Sequence, residues 1–360
     1  MMKVFVFFLA LVVALTAYVS WHLWRMAPAG GALKLTVTGL FLLWMAVFFV
    51  GFFVMDHVPI KLAIVLYEVG TTWLIFFLYL LIAFVLADVA SLCHLLPKSL
   101  LRDNPVGLMS VVGLIAVVMM LGGVEYHHKH RKELTLTTEK AIEKPLTIVL
   151  ASDLHIGYHN RKAELARWVD LINGENPDLV LIGGDIIDRS LRPVDEGNYA
   201  EEFHRIQAPV FTVHGNHEYI SQIDEAERFF KEAGIVLLKD SVAHFKGVDV
   251  IGRNDRSAFR RATVKALAAG AKGFTILLDH QPYHLEEAEQ AGIDFQFSGH
   301  THRGQVWPIS WITDAVYEKS WGFHQRGNTR YYVSSGLGIW GPKIRIGTRS
   351  EYLVLHLKRR

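Results

Sequence analysis

Hydrophobic and polar positions follow two different patterns along the 360-residue chain. Long runs without a formal charge fill the first 122 residues, which hold only ten of the 72 Asp, Glu, Lys and Arg residues. Beyond that point, short apolar runs end in polar clusters and alternate with helical stretches. The pattern therefore predicts a membrane-embedded part followed by a soluble α/β part.

Four uncharged runs in the first part are each long enough to cross about 30 Å of hydrocarbon as a helix. They are Val4 to Trp24, Leu35 to Met55, Val69 to Ala87 and Val106 to Val124. We predict a four-span transmembrane anchor over residues 1–126, because a buried helical core does not require four such runs. The first run exceeds the roughly 7 to 15 residues of a signal-peptide core, so an uncleaved anchor is preferred to a cleaved signal.

The next segment, residues 127–145, is predicted to be a juxtamembrane linker. It begins with the basic run His127-His128-Lys129-His130-Arg131-Lys132. This run has the residue types of a metal-binding tract, but contact with anionic headgroups is preferred because it directly follows a span. Four spans would place the catalytic half on the same side of the membrane as the amino terminus. That side has five basic residues outside the spans and the other has four, which favours a cytoplasmic catalytic half only slightly.

Composition narrows the classes of partner. The only cysteine is Cys93, which excludes a disulfide scaffold. The soluble part has 31 basic and 31 acidic residues and lacks the positive excess that duplex binding needs, so nucleic acid is disfavoured. The lipid bilayer is an expected partner, and the sequence indicates no protein partner.

Five short apolar runs in the soluble part end in polar residues that can bind metals. Asp153 and His155 follow the run 146–150, Asp185 follows 179–182, Asn216 follows 210–213, His280 follows 275–278, and His300 and His302 follow 295–297. Strands alternating with helices predict a sheet whose ligands bind at the carboxyl ends of its strands. We therefore expect these side chains to converge.

The donor set restricts the metal. It contains carboxylates, imidazoles and one amide, with no thiolate, which suits manganese, iron, zinc, nickel or cobalt. Seven donors exceed the needs of one catalytic ion, and two ions that share a carboxylate fit better. Two such ions can stabilise the attacking and leaving oxygens of a phosphoryl transfer. Each motif taken alone has a simpler explanation as a turn or a strand-end cap.

The order of the motifs resembles the signature of the calcineurin-like metallophosphoesterases. The matching blocks are Asp153-x-His155, Gly-Gly-Asp185-x-x-Asp188, Gly215-Asn216-His217-Glu218, His280 and Gly299-His300-Thr301-His302. The tail, from Tyr331 to Gly338 with Pro342, Arg345, Ile346 and Glu351, is similar to a branch found in bacterial membranes and envelopes. The resemblance implies a metallophosphoesterase domain over residues 146–360, built as a four-layer α/β/β/α sandwich, in a multi-pass protein of the bacterial inner membrane.

The resemblance also implies roles for individual residues. Asp153, His155 and His302 would bind the first metal, Asp185 would bridge, and Asn216, His280 and His300 would bind the second. His217 would stabilise the transferring phosphoryl group or protonate the leaving oxygen, and Asp188 would orient it. Arg189 and Arg303 are candidate substrate-binding residues, because each adjoins a motif and carries a fork of donors.

The sequence therefore predicts a membrane-bound, dinuclear metal-dependent phosphoesterase that hydrolyses a phosphodiester or pyrophosphate bond in a lipid or envelope precursor. One alternative is a membrane sensor or scaffold that binds a phosphorylated ligand without turnover. Another is a phosphomonoesterase acting on small soluble substrates. Five aromatic residues follow the last motif: Trp307, Trp311, Trp321, Phe323 and Trp340. Three arrangements are open for them: lining an apolar slot, forming an interfacial belt, or packing in the core.

Overall fold

The computed structural model describes residues 2–360, apart from the side chains of residues 2–5 and 8, and divides the chain into two compact units. The boundary falls between Gly122 and Gly123. Four helices dominate the first unit: α1 (Met2–Met26), α2 (Gly31–Val54), α3 (Ile60–Leu92) and α4 (Pro105–His127). Each is long and apolar enough to cross a membrane, which confirms the four predicted helical segments.

Within the first unit, α3 is longer than the sequence predicted. Its 33 residues correspond to about 50 Å at 1.5 Å per residue, more than the hydrocarbon core of a bilayer. The helix therefore includes Asp88, which accepts a hydrogen bond from the Tyr18 hydroxyl at 2.7 Å and lies 3.0 Å from His22 Nε2. Asp88 consequently links α1 to α3 through polar contacts.

The second unit contains twelve strands and eight further helices in the described residues. The strands are β1 (Lys129–Thr138), β2 (Leu146–Ala151), β3 (Leu179–Ile182), β4 (Val210–Thr212), β5 (Val236–Leu237), β6 (Ser241–Phe245), β7 (Val248–Gly252), β8 (Phe274–Leu278), β9 (Phe295–Ser298), β10 (Gly322–Arg326), β11 (Thr329–Val333) and β12 (Ser350–Arg359). The helices are α5 (Lys162–Gly174), α6 (Arg192–Glu196), α7 (Ala200–Phe203), α8 (Asn216–Ile220), α9 (Ile223–Glu232), α10 (Val264–Ala268), α11 (Glu286–Gln290) and α12 (Ile309–Val316).

The strands form two six-stranded sheets. The first has the order β1-β12-β2-β3-β4-β5, and the second has the order β10-β11-β9-β8-β7-β6. In the first sheet β2, β3, β4 and β5 run parallel, and in the second β7, β8, β9 and β11 do so. The register aligns Ala151 with Ile182 and Ile182 with its partner Thr212, so the loops after β2, β3 and β4 begin at the same edge.

Three apolar layers hold the sheets and helices together. Ile148 and Phe297 belong to a buried cluster that contains residues of both sheets, so the sheets face each other. The neighbouring Val149 points the opposite way, into a cluster with Trp168 of α5 and Phe229 of α9. Strands buried on both faces explain why their sequences are continuous apolar runs. With α10 and α11 packed on the second sheet, the predicted four-layer α/β/β/α arrangement is confirmed.

The segment predicted as a linker instead contributes a strand. Lys129 to Thr138 form β1, which pairs in parallel with β12 along its whole length. Leu134 and Leu136 point toward the core between the sheets, and their period of two was hidden by the preceding charged run. Part of that run is engaged within the unit, since His130 lies 2.8 Å from Glu125 and Arg131 2.9 Å from Glu175.

Candidate metal centre

The loops that follow β2, β3, β4, β8 and β9 bring the predicted ligands together. Asp153, His155 and His302 form one group whose ligand atoms lie within 4.8 Å of one another, and Asp185, His280 and His300 form another. A third group of the same size joins them: His155, Asp185 and His217. Asn216 completes the second group, because its Oδ1 lies 2.7 Å from His300 Nδ1 and 3.3 Å from His280 Nε2.

The backbone at this centre has an unusual conformation. Five of the predicted ligands have positive φ angles, which non-glycine residues seldom adopt. They are Asp153 at 55°, His155 at 45°, Asp185 at 53°, His300 at 70° and His302 at 46°. Strained residues of this kind cluster at functional sites, where surrounding contacts hold them. The strand-end loops therefore aim these side chains at a common point at some cost in backbone energy.

Two glycines allow the loops to approach the carboxylates closely. A Cβ atom at Gly215 would lie 2.1 Å from Asp185 Oδ1, and one at Gly299 would lie 2.3 Å from Asp153 Oδ2. A side chain at either position would displace a predicted ligand. The glycines of the Gly-Asn-His-Glu and Gly-His-Thr-His motifs are thus explained by the space that the ligands occupy.

The arrangement of donors fits divalent cations. The Nε2 atoms of His155 and His302 face each other at 3.1 Å, and His280 Nε2 lies 3.1 Å from Asp185 Oδ2. Asp153 and Asp185 are buried carboxylates. A cation satisfies such converging lone pairs and offsets the cost of burying the negative charge. Divalent cations bound there would supply positive charge to polarise phosphoryl oxygens and activate water.

His217 and Asp188 adjoin the ligands. The His217 backbone N–H donates to Asp185 Oδ1 at 2.8 Å, and its Nδ1 lies 2.6 Å from the Asp188 carbonyl oxygen. Asp188 Oδ1 lies 3.4 Å from His217 Nδ1 and 3.3 Å from His155 Nδ1, so one carboxylate contacts both imidazoles. Burial lowers the pKa of His217, but the carboxylates of Asp185 and Asp188 outweigh it and raise that pKa to about 10.

Glu218 has a positional role that sequence reasoning missed. Its buried carboxylate accepts four backbone N–H bonds, from Gly215 at 2.7 Å, Ile186 at 2.8 Å, and Asp185 and Ile187 at 3.1 Å each. It therefore ties the loop after β3 to the loop after β4. Its position as the third residue of α8 is where a capping-box glutamate occurs, and that spacing is the available sequence signal.

Arg345 is the second residue whose role was missed. Its fully buried guanidinium donates to the backbone carbonyls of His302 at 2.9 Å, Ser335 at 2.5 Å and Gly338 at 3.0 Å. The tail segment after β11 is thereby fastened to the loop that carries His302. Arg345 was visible in the tail motif, but nothing local in the sequence indicates which carbonyls it contacts.

The predicted substrate-binding arginines lie beside the motifs without belonging to a ligand group. Arg189 is half-buried directly after Asp188, and the Arg303 guanidinium stacks 4.3 Å above the Trp321 ring. Of the five aromatic residues that follow the last motif, four are too exposed to be packed in the core, which contradicts that alternative for them. Trp307, Trp311, Phe323 and Trp340 are 39%, 65%, 45% and 43% exposed.

The chain is similar to several known proteins. Residues 146–304 match the family model described as calcineurin-like phosphoesterase. An uncharacterized metallophosphoesterase of Helicobacter pylori is 32% identical over 234 residues, 63% of each chain. A transmembrane protein with metallophosphoesterase domain from Danio rerio is 29% identical over 59% of this chain and 53% of its own. The GAP50 anchor of the Plasmodium inner membrane complex, a solved structure, has a TM-score of 0.38 at 15% identity, over 57% of this chain and 76% of its own.

The second unit therefore contains a region, residues 146–304, that is similar to the calcineurin-like phosphoesterases. In this chain, four amino-terminal helices that are long and apolar enough to cross a membrane precede this region. The chain spans 63% of the length of the Helicobacter pylori relative.

Proposed function

We propose that this protein is an integral membrane phosphoesterase that uses two divalent metal ions to hydrolyse a phosphodiester or pyrophosphate bond. The observation that carries the proposal is the pair of ligand groups joined through Asp185 and His155. One ion cannot use seven nitrogen and oxygen donors and keep a position open for substrate, whereas two ions sharing Asp185 can. Manganese, iron and zinc all suit the donor set.

In this proposal, residues of the chain divide the chemical work. Asp153, His155 and His302 would hold one ion, Asn216, His280 and His300 would hold the other, and the Asp185 carboxylate would be shared by the two. His217 would donate its Nδ1–H to the Asp188 carbonyl, and in its doubly protonated form its Nε2–H would donate to the phosphoryl or leaving oxygen. Arg189 and Arg303 are proposed to contact phosphate oxygens farther from the metals.

We further propose a phosphorylated lipid or envelope precursor as the substrate, in a bacterial inner membrane and with the catalytic unit on the cytoplasmic side. Four helices that are long and apolar enough to cross a membrane would tether the catalytic unit at a bilayer, where lipid substrates are concentrated. The catalytic unit has equal numbers of acidic and basic residues, which does not favour nucleic acid.

The test is hydrolysis by the purified full chain in detergent, after chelation and readdition of manganese, iron or zinc. We expect turnover of bis-p-nitrophenyl phosphate with at least one metal and none after chelation. A faster reaction with p-nitrophenyl phosphate would favour the phosphomonoesterase alternative. Absence of turnover with every metal, together with tight binding of a phosphorylated ligand, would favour a sensor or scaffold.

The presence of His217 and Asp188 supports an enzyme rather than a sensor, because a protein that only binds a phosphorylated ligand does not need a proton donor beside it. Extracts from cells that lack the protein would identify the substrate as an accumulated phosphorylated lipid. Unchanged lipid composition in such cells would remove the support for a lipid substrate while leaving the hydrolysis assay as an independent measure of activity.

A further inference from the structure

A basic groove lies beside the last residue of α4. Two adjoining cavities, of about 670 and 380 Å³, share His127, Glu164 and Arg167 in their walls. We call them together the juxtamembrane groove. Its charged lining comprises Lys129, Arg161, Lys162, Arg167 and Lys343 against the two carboxylates of Glu164 and Asp170. None of the predicted metal ligands lines it, so the groove is separate from the metal centre.

The position of the groove follows from the helix that leads into it. The candidate membrane span covers Pro105–His127, and 23 residues correspond to about 34 Å of helix, enough to cross the hydrocarbon core. The last residues of this helix, from Gly123 onward, belong to the second unit. If α4 crosses the bilayer, its last residue, His127, and the part of the groove that His127 lines lie at the level of the headgroups, on whichever side the chain emerges.

The cations in the groove are only partly neutralised by their neighbours. Lys343 pairs with Glu164 at 2.7 Å and Lys162 with Glu201 at 3.0 Å. Arg167 approaches Glu164 only to 3.9 Å, and 63% of its side chain is exposed. One carboxylate thus faces two cations, and the lining keeps a positive excess.

Lys129 belongs to this lining and is held by Tyr126. Its ammonium donates to the Tyr126 carbonyl at 2.7 Å and lies 3.6 Å above the Tyr126 ring, which leaves further N–H groups for a ligand. Burial is the largest cause that lowers the pKa of Lys129 well below its ordinary value; the positive charges of Arg345, Lys343 and Arg167 lower it further, and the Glu164 carboxylate raises it. A bound anion would favour the charged form of Lys129.

The groove also has an apolar side. Trp168 and Leu171 line the smaller cavity next to His127 and Lys129, and Leu171 is 37% exposed. Free phosphate makes no use of such a surface, whereas the glycerol and first methylene groups of a phospholipid do. We propose that the juxtamembrane groove binds the phosphate of an anionic phospholipid headgroup at the membrane surface where α4 ends. This binding would be a second attachment of the catalytic unit to the bilayer, independent of catalysis.

The test is competition between lipids for the full chain in detergent, measured by native mass spectrometry with equal amounts of phosphatidylglycerol and phosphatidylcholine. The groove variant is Arg167→Gln with Lys162→Gln. The matched control is Lys265→Gln with Lys272→Gln, which removes the same charge from exposed positions in and after α10. We expect wild type and control to retain phosphatidylglycerol in preference to phosphatidylcholine. In the groove variant, each cation removed should reduce that preference about fivefold.

Equal retention of the two lipids by wild type, or an unchanged preference in the groove variant, would overturn the proposal. A second arm titrates inorganic phosphate and measures the unfolding temperature. If inorganic phosphate displaces phosphatidylglycerol and protects wild type but not the groove variant, the ligand is the free ion and the lipid assignment fails. Hydrolysis of bis-p-nitrophenyl phosphate by the same variants separates this proposal from the enzyme proposal, because groove binding does not require turnover.

Discussion

Replacing Glu218 with glutamine tests whether one buried carboxylate positions the loops that carry Asp185 and Asn216. Oε1 accepts from the backbone N–H groups of Ile186 and Ile187, and Oε2 accepts from those of Asp185 and Gly215. Glutamine keeps the size of the side chain but turns one acceptor into an NH2 group. Two buried N–H donors then face another donor and lose their acceptor.

The magnitude follows from those two donors. A buried donor left without a partner costs about 1 to 3 kcal/mol, so Glu218→Gln should lower the free energy of unfolding by about 2 to 6 kcal/mol. The loops would also relax away from the metals. Loss of a contact behind metal ligands typically weakens metal affinity by roughly 10- to 100-fold, and we expect a decrease of that order.

Denaturant unfolding of the chelator-treated full chain in detergent measures the first effect, and manganese titration measures the second. The control is Glu196→Gln on α6, where the side chain is 48% exposed and pairs with Arg192. That exposed pair should contribute about 1 kcal/mol or less. A Glu218→Gln protein as stable as the Glu196→Gln control, with wild-type manganese affinity, would refute the assignment of Glu218 as the brace between these loops.

Three further predictions concern the centre and the sheets around it. His217→Ala should keep its bound metal and lose about 10²- to 10⁴-fold in turnover, whereas Asp185→Ala should lose metal by elemental analysis; equal metal content in the two variants would contradict these roles. Gly338→Ala would place a Cβ 2.1 Å from the Leu154 carbonyl oxygen and should cost about 1 to 3 kcal/mol by thermal unfolding, while Gly174→Ala has open space and serves as the control. Burial raises the pKa of Asp249, but the Gly273 amide and His244 outweigh it and hold that pKa below its ordinary 3.8. Its ionised form therefore stabilises the fold above pH 3.8, and this contribution is lost as the pH falls through the lower folded-state value. Asp249→Asn can keep both amide bonds to one oxygen, so its unfolding free energy should fall less on acidification than that of wild type; parallel pH profiles would show that the charge of Asp249 contributes nothing.

Some features of the fold were predictable because their cause is local. An uncharged run of about 20 residues must satisfy its backbone within a bilayer by forming a helix, so run length alone indicated α1 to α4. Strands buried on both faces read as short apolar runs, and the ligands that follow them are adjacent in sequence to those strands. The sequence therefore places the seven predicted ligands in the loops that directly follow these strands, and the structure brings these loops together.

Other features depend on contacts between distant segments. Strand β1 pairs with β12 more than two hundred residues later, so the basic run before it could not reveal the strand. Glu218 acts on backbone groups 31 to 33 residues away, and Arg345 acts on the His302 carbonyl 43 residues away. Backbone N–H and C=O groups are the same in every residue, so sequence carries no mark of which ones a distant side chain will contact.

The sequence by itself determined the division into four apolar helices and an α/β unit, and the chemical types and order of the candidate metal-binding side chains. These depend on hydrophobicity and on residue type, which are properties of each position. Only the tertiary structure decided which donors share a site, which side chains hold the strained loops, and how Lys129, Arg167 and Lys343 meet in one groove. Distances, burial and charge balance arise from packing, and packing exists only once the chain has folded.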